Sequence, residues 1–123
     1  MKLLIPTVLA VATVSSLVAQ SPLSTTYDGG TFLNSGQLYF DLVVNTPVTI
    51  SGIEINTISA VGTAGSIELW VTNPGTTTFL GNELNASVWS QAASGACTAA
   101  GPGVASIACL SPAVTLQPGT YGI

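Results

Sequence analysis

The sequence predicts an all-β domain of two antiparallel sheets packed face to face, a β-sandwich or jelly roll. Three observations lead there. Beyond residue 20 helical periodicity is nearly absent, short runs alternate apolar with polar positions, and clusters of Gly, Pro and Asn separate the runs. Alternation with period two is what a half-buried strand requires, because successive side chains leave an extended backbone on opposite sides.

Residues 1–19 read as a signal peptide, a helical leader ahead of a single domain over 20–123. Met1-Lys2 forms a short positive start, Leu3 to Val18 is apolar and uncharged, and Ala19 places a small residue before cleavage at Ala19/Gln20. Leu17 departs from the small-residue rule for such sites. A membrane anchor is disfavoured: the run falls short of the ~20 residues a span needs and contains Pro6. After cleavage no membrane segment is expected.

The first strand, a weak one, is expected near Leu23–Tyr27. In QLYFDLVV (37–44), Leu38, Phe40, Leu42 and Val44 share one face and Asp41 lies on the other; Asn45-Thr46-Pro47 then breaks the run. VTISGIEINTI (48–58) places Val48 and Ile50 together and, after Ser51-Gly52, Ile53 and Ile55 together. The switch from even to odd positions predicts a bulge or bend at Gly52. SIELWVT (66–72) turns Ile67, Leu69 and Val71 inward and Glu68 and Trp70 outward, and Asn73-Pro74-Gly75 is a turn. Strand character returns at Val88-Trp89, then in VASIACL (104–110), AVTL (113–116) and TYGI (120–123), with Pro112 and Pro118-Gly119 between. The count is about seven or eight strands, the spacing of a sandwich. An immunoglobulin-type version is disfavoured, because no Trp separates Cys97 from Cys109 and the two are too near in sequence to span sheets.

Charge excludes whole classes of partner. Lys2 is the only basic side chain, so the domain without its leader has no Lys, Arg or His, against Asp28, Asp41, Glu54, Glu68 and Glu83. A surface without cations cannot neutralise phosphates, which rules against nucleic acid and against anionic lipid. The same absence removes Ser-His-Asp and Cys-His arrangements. Carboxylates alone remain as acid/base candidates; Glu54 and Glu68, outward on separate strands, are the pair to consider as neighbours, though the solvent face of a strand is where charges ordinarily sit. The chain is therefore expected not to be an enzyme.

Cys97 and Cys109 match no metal spacing, and an even pair in an exported chain reads as a disulfide. Closing a loop of about 13 residues would contribute about 3 kcal/mol through loss of unfolded-chain entropy. A redox-active pair is disfavoured by the wide spacing. No cofactor is expected, with calcium as the one candidate: Asp28 in YDGG (27–30) and Asp41 are the oxygen ligands to test, along with Asn82 and Glu83 in GNELN (81–85), although neither loop has the acidic density of a dedicated site. Turn residues bonding their own backbone explain the same sequence. Trp70, Tyr39 and Trp89 are the candidate ligand-binding residues, since an exposed aromatic face stacks on a sugar ring; covering a neighbouring strand is the plainer role. Asn85-Ala86-Ser87 fits the N-glycosylation acceptor pattern, a short match that means little by itself in a bacterial chain.

The ending LQPGTYGI resembles the L-x-P-G-T-Y hairpin near the end of many secreted bacterial β-sandwich domains, including the pre-peptidase C-terminal type. The wider run STTYDGG…YFDLVVNTPVTISGIEIN…GTAGSIELWVT…GNELNASVW…LQPGTYGI is similar to a group of uncharacterised exported bacterial proteins. The resemblance implies a sandwich behind a signal peptide, with no catalytic residues to carry over. It also implies that the Tyr-bearing strand continues and another follows, so a sequence truncated after Ile123 is expected. The reading at this point is a secreted or cell-surface, non-catalytic structural or interaction module whose partner is a polysaccharide or another surface protein. The alternative is a carbohydrate-binding module using its exposed aromatics with calcium assistance.

Overall fold

The computed structural model describes residues 36–123; the leader, the weak strand at Leu23–Tyr27 and Asp28 lie outside the described residues. Six strands follow in order: β1 (Asp41–Val44), β2 (Val48–Asn56), β3 (Ala64–Thr72), β4 (Trp89–Thr98), β5 (Ala105–Leu116) and β6 (Gly119–Gly122). A 3-10 turn, Ala86–Val88, precedes β4. All pairings are antiparallel. β1 and β6 form a two-stranded sheet, and the other four form a sheet in the order β2-β5-β4-β3.

The two prolines that break the alternation mark where the chain changes sheet. Asn45-Thr46-Pro47 carries it from β1 to β2, and Gln117-Pro118 carries it back from β5 to β6. The crossings lie side by side: Val44 pairs with Gly119 before them and Val48 with Leu116 after them. A proline has no N–H to donate, so a ladder ends there at little cost. The Tyr121 hydroxyl donates to the Gln117 carbonyl at 2.9 Å and ties the second crossing to the strand that follows it.

Within the larger sheet, Asn73-Pro74-Gly75-Thr76 forms the turn after β3. The Thr76 N–H donates to the Asn73 carbonyl at 3.0 Å, and Gly75 has φ 98°, the third-position geometry that favours glycine in a type II turn. β2 and β3, adjacent in sequence, occupy opposite edges because the β4–β5 hairpin lies between them, a Greek-key order. Their connection runs past the tip of that hairpin, where Gly62 N–H donates to the Ala99 carbonyl and Ala99 N–H to the Thr63 carbonyl.

The bulge read from the sequence at Gly52 is present: the β2–β5 register shifts between Ile50 and Gly52. Only Ser51 lies between those residues on β2, whereas Leu110 to Ala113 lie between their partners Cys109 and Val114 on β5. The extra chain is on β5 and contains Pro112, so the two runs expected at 104–110 and 113–116 are one strand with an irregularity at its proline. Because of the shift, Val48, Ile50 and Ile53 all pack against the same core.

That core is shared by both sheets. Val44 and Ile123 from the β1–β6 side are buried with Leu69, Val71, Ala93, Leu110 and Leu116 from the other, and Leu42, Val114 and Tyr121 pack around them. Each large apolar side chain removed from water contributes roughly 1.5–3 kcal/mol. The inward assignment of Leu69 and Val71 and the outward one of Glu68 and Trp70 hold. One expectation fails: β1 starts at Asp41, and Leu38 and Phe40, expected inward, are 63% and 38% exposed. Phe40 keeps only its backbone exchange with Ile123, because the chain before it is drawn toward the aromatic cluster described below.

The tightest approach between the sheets is at Gly122. Its N–H donates to the buried Thr72 hydroxyl at 2.9 Å, and a Cβ there would lie 2.7 Å from the Thr72 methyl and 2.8 Å from the Phe79 nitrogen. A Gly122→Ala chain is therefore expected to lose about 1–3 kcal/mol, seen as a lower urea midpoint with an unchanged slope, whereas Gly119→Ala, at ordinary contact distance, is expected to cost less.

Candidate functional site

Two surfaces collect the residues singled out for binding. The first is the long connection from β3 to β4. Here the Tyr39 ring stacks on Phe79, centroids 6.2 Å apart and 17° between planes, and meets Trp89 at 5.7 Å and 52°. The polar atoms of these rings are spoken for: the Tyr39 hydroxyl donates to Gln37 Oε1 at 2.6 Å and also lies 3.2 Å from the Glu83 carbonyl, and the Trp89 indole N–H donates to the Asn82 carbonyl at 2.8 Å. Tyr39 and Trp89 are thus brought together, but as half-buried parts of a loop anchor rather than as an open platform. Phe79 completes the cluster and was not singled out from sequence, since it sits in a Thr-rich loop with no periodicity to mark its face.

Asp41 fastens the same loop. Its two carboxylate oxygens accept from the Thr78 hydroxyl and the Phe79 N–H, each at 2.8 Å. The residue proposed as a calcium ligand is therefore engaged by the chain itself, and Asp28, its expected companion, lies outside the described residues. Among the described residues no three of His, Cys, Asp and Glu come together. Glu83 contributes its backbone carbonyl, not its carboxylate, to the recorded bonds.

The second surface is the outer face of the four-stranded sheet. Trp70 is 41% exposed there, and its indole N–H donates to Glu68 Oε2 at 3.0 Å. Alternation puts both side chains on one face, two residues apart, and the bond fixes the ring against the strand. Gln91 is paired with Trp70 and Ser94 with Glu68, so amide and hydroxyl groups border the indole. Among the described residues Trp70 has no aromatic ring contact. Further along, Ile107 is 60% exposed on β5.

The carboxylate pair considered for hydrolysis does not form. Glu54 is on β2 and Glu68 on β3, the two edges of the sheet, with β5 and β4 between them. Three interstrand steps separate their strands by about 14 Å, beyond the span of either paired-carboxylate mechanism. Outward placement was read correctly, but strand order is not encoded in alternation. Two shallow depressions, one at the β4–β5 turn beside Cys97 and Ser106 and one between the 73–77 turn and β6, are lined by no charged side chain.

The expected disulfide is not formed either: Cys97, half-buried, and Cys109, exposed, are free thiols. Cys97 pairs with Ala108, and its Sγ lies 3.4 Å from where a Cβ on Gly65 of β3 would be. Cys109 follows Ala108, so the pleat turns it to the opposite face. Nearness in sequence brought the strands together but not the sulfurs to one side.

Compared with protein-family models, curated proteins and solved structures, the chain matches none.

Two measurements check this surface. Thiol titration of the unreduced, denatured chain is expected to find two thiols, with Cys109 reacting before Cys97 in the native state. Asp41→Ala is expected to release the 78–79 segment, costing about 1–2 kcal/mol for two bonds to an exposed charged acceptor and red-shifting Trp89 emission in a Trp70→Phe background.

Proposed function

We propose that this chain is an exported, non-catalytic β-sandwich that serves as a structural or interaction module at the cell surface or outside it. The observation that supports this most is the placement of Glu54 and Glu68 on opposite edges of the sheet. In a domain without His, Lys or Arg beyond its leader, paired carboxylates are the simplest route to acid/base chemistry, and these two are held apart. The sandwich reading is supported by the single apolar cluster that both sheets share. It is supported also by the Tyr121 hydroxyl bonding back to Gln117, the kind of contact that tyrosine corners make in such domains. The outward face, neutral apart from Glu54 and Glu68, suits contact with an uncharged or weakly polar partner rather than with a polyanion.

A second reading rests on Trp70. An exposed indole locked by Glu68 and bordered by Gln91 and Ser94 has what a carbohydrate platform needs: a flat apolar surface with hydrogen-bonding groups at its rim.

A glycan array probed with the intact secreted chain separates the two. The interaction-module reading, with another surface protein as the partner, expects no glycan retained. Retention that falls at least tenfold in Trp70→Ala, with the unfolding midpoint unchanged, establishes the carbohydrate reading instead. Hydrolysis lost in Glu54→Gln or Glu68→Gln with the fold intact overturns both.

A further inference from the structure

We infer that Asn85 is the acceptor of an N-linked glycan. The inference rests on the export proposed above and on four observations around the 3-10 turn that precedes β4. Asn85-Ala86-Ser87 is the only stretch of the sequence with the Asn-x-Ser/Thr pattern. The structure places it at the solvent-facing end of the β3–β4 connection, where Leu84 is 98% exposed and Asn85, Ala86 and Ser87 are all exposed.

The side chains of the triplet are already in contact. The Ser87 hydroxyl donates to Asn85 Oδ1 at 2.7 Å, which occupies the carbonyl end of the carboxamide; among the described residues Nδ2 has no hydrogen-bond partner. Asn73 and Asn82 in the same region differ: their Nδ2 groups donate to the Ser87 and Thr78 carbonyls at 2.9 and 3.2 Å. The turn spans three residues, buries none of them, and Asn85 makes no side-chain cap, so the triplet faces solvent while Asn73 holds the Ser87 and Val88 carbonyls at its base.

The step balances without a redox partner. Nδ2 of Asn85 bonds to the anomeric carbon of a glycan carried on a lipid pyrophosphate, the bond from that carbon to the pyrophosphate oxygen breaks, and the lipid pyrophosphate leaves with the electron pair. The displaced amide proton passes to a base on the transferase. A glycan here would project from the end of the β3–β4 connection, away from the buried cluster.

The test is peptide mapping and intact mass of the full chain, with its own leader, recovered from the medium and from the interior of the cells that make it. The peptide holding Asn85 is expected to carry a glycan mass that is absent from Asn85→Gln and Ser87→Ala and kept in Ser87→Thr, with all four chains exported alike. Exported wild type with a bare Asn85, or a glycan that persists in Asn85→Gln, overturns this inference alone. A chain found only inside the cell with its leader intact overturns the export reading, and this inference with it.

Discussion

The β1–β6 ribbon meets the larger sheet at Gly122, whose N–H donates to the buried Thr72 hydroxyl where a Cβ would collide with the Thr72 methyl and the Phe79 nitrogen. A two-stranded ribbon is marginal in water without something to cover it. Held at Gly122, it sets Val44 and Ile123 into the same cluster as Leu69, Val71 and Leu110, and its first residue, Asp41, comes within reach of Thr78 and Phe79. The aromatic cluster of Tyr39, Phe79 and Trp89 follows from that placement, since Tyr39 precedes β1 and Phe79 is bonded to Asp41.

A second constraint is the lack of cations. With Lys2 the only Lys, Arg or His of the sequence, no carboxylate among the described residues has an ion-pair partner on another described side chain. Two of those described turn to neutral donors: Asp41 to a hydroxyl and a backbone N–H, Glu68 to an indole N–H. Hydrogen bonds to charged acceptors stabilise more than neutral ones, and at these distances salt screens them little. The loops are fastened by such bonds and by amides, as where Asn73 receives the Ser90 hydroxyl and donates to the Ser87 carbonyl.

On the function proposed above, the molecule acts through what it displays. The aromatic cluster serves the fold, Glu54 and Glu68 stand on opposite edges of the sheet, Asp41 is held by Thr78 and Phe79, and the groups proposed for display are the Trp70 indole and the Asn85 carboxamide. Under the proposal of an exported module, the first would serve as a contact surface and the second as a place for a bulky polar group, in a chain whose mean hydropathy over all 123 residues is +0.62.

The alternation of Ile67, Leu69 and Val71 against Glu68 and Trp70, the bulge beside Gly52, and the breaks at Pro47, Pro74 and Pro118 were all legible in the sequence, because side-chain period and proline's missing donor are local properties. β4 was scarcely legible beyond Trp89. Its residues Ala92 to Thr98 are small and carry no β-branched alternation, for a reason visible only in three dimensions: a Cβ on Gly95 would overlap the Cys109 carbonyl. Which strands are neighbours was likewise decided by tertiary structure. That order separated Glu54 from Glu68, the pleat turned Cys109 away from Cys97, and the pull of Phe79 and Trp89 took Tyr39 out of a strand that its alternation had promised. Sequence set which way each residue faces within its own strand; the order of the strands and the shared apolar cluster set what each one meets.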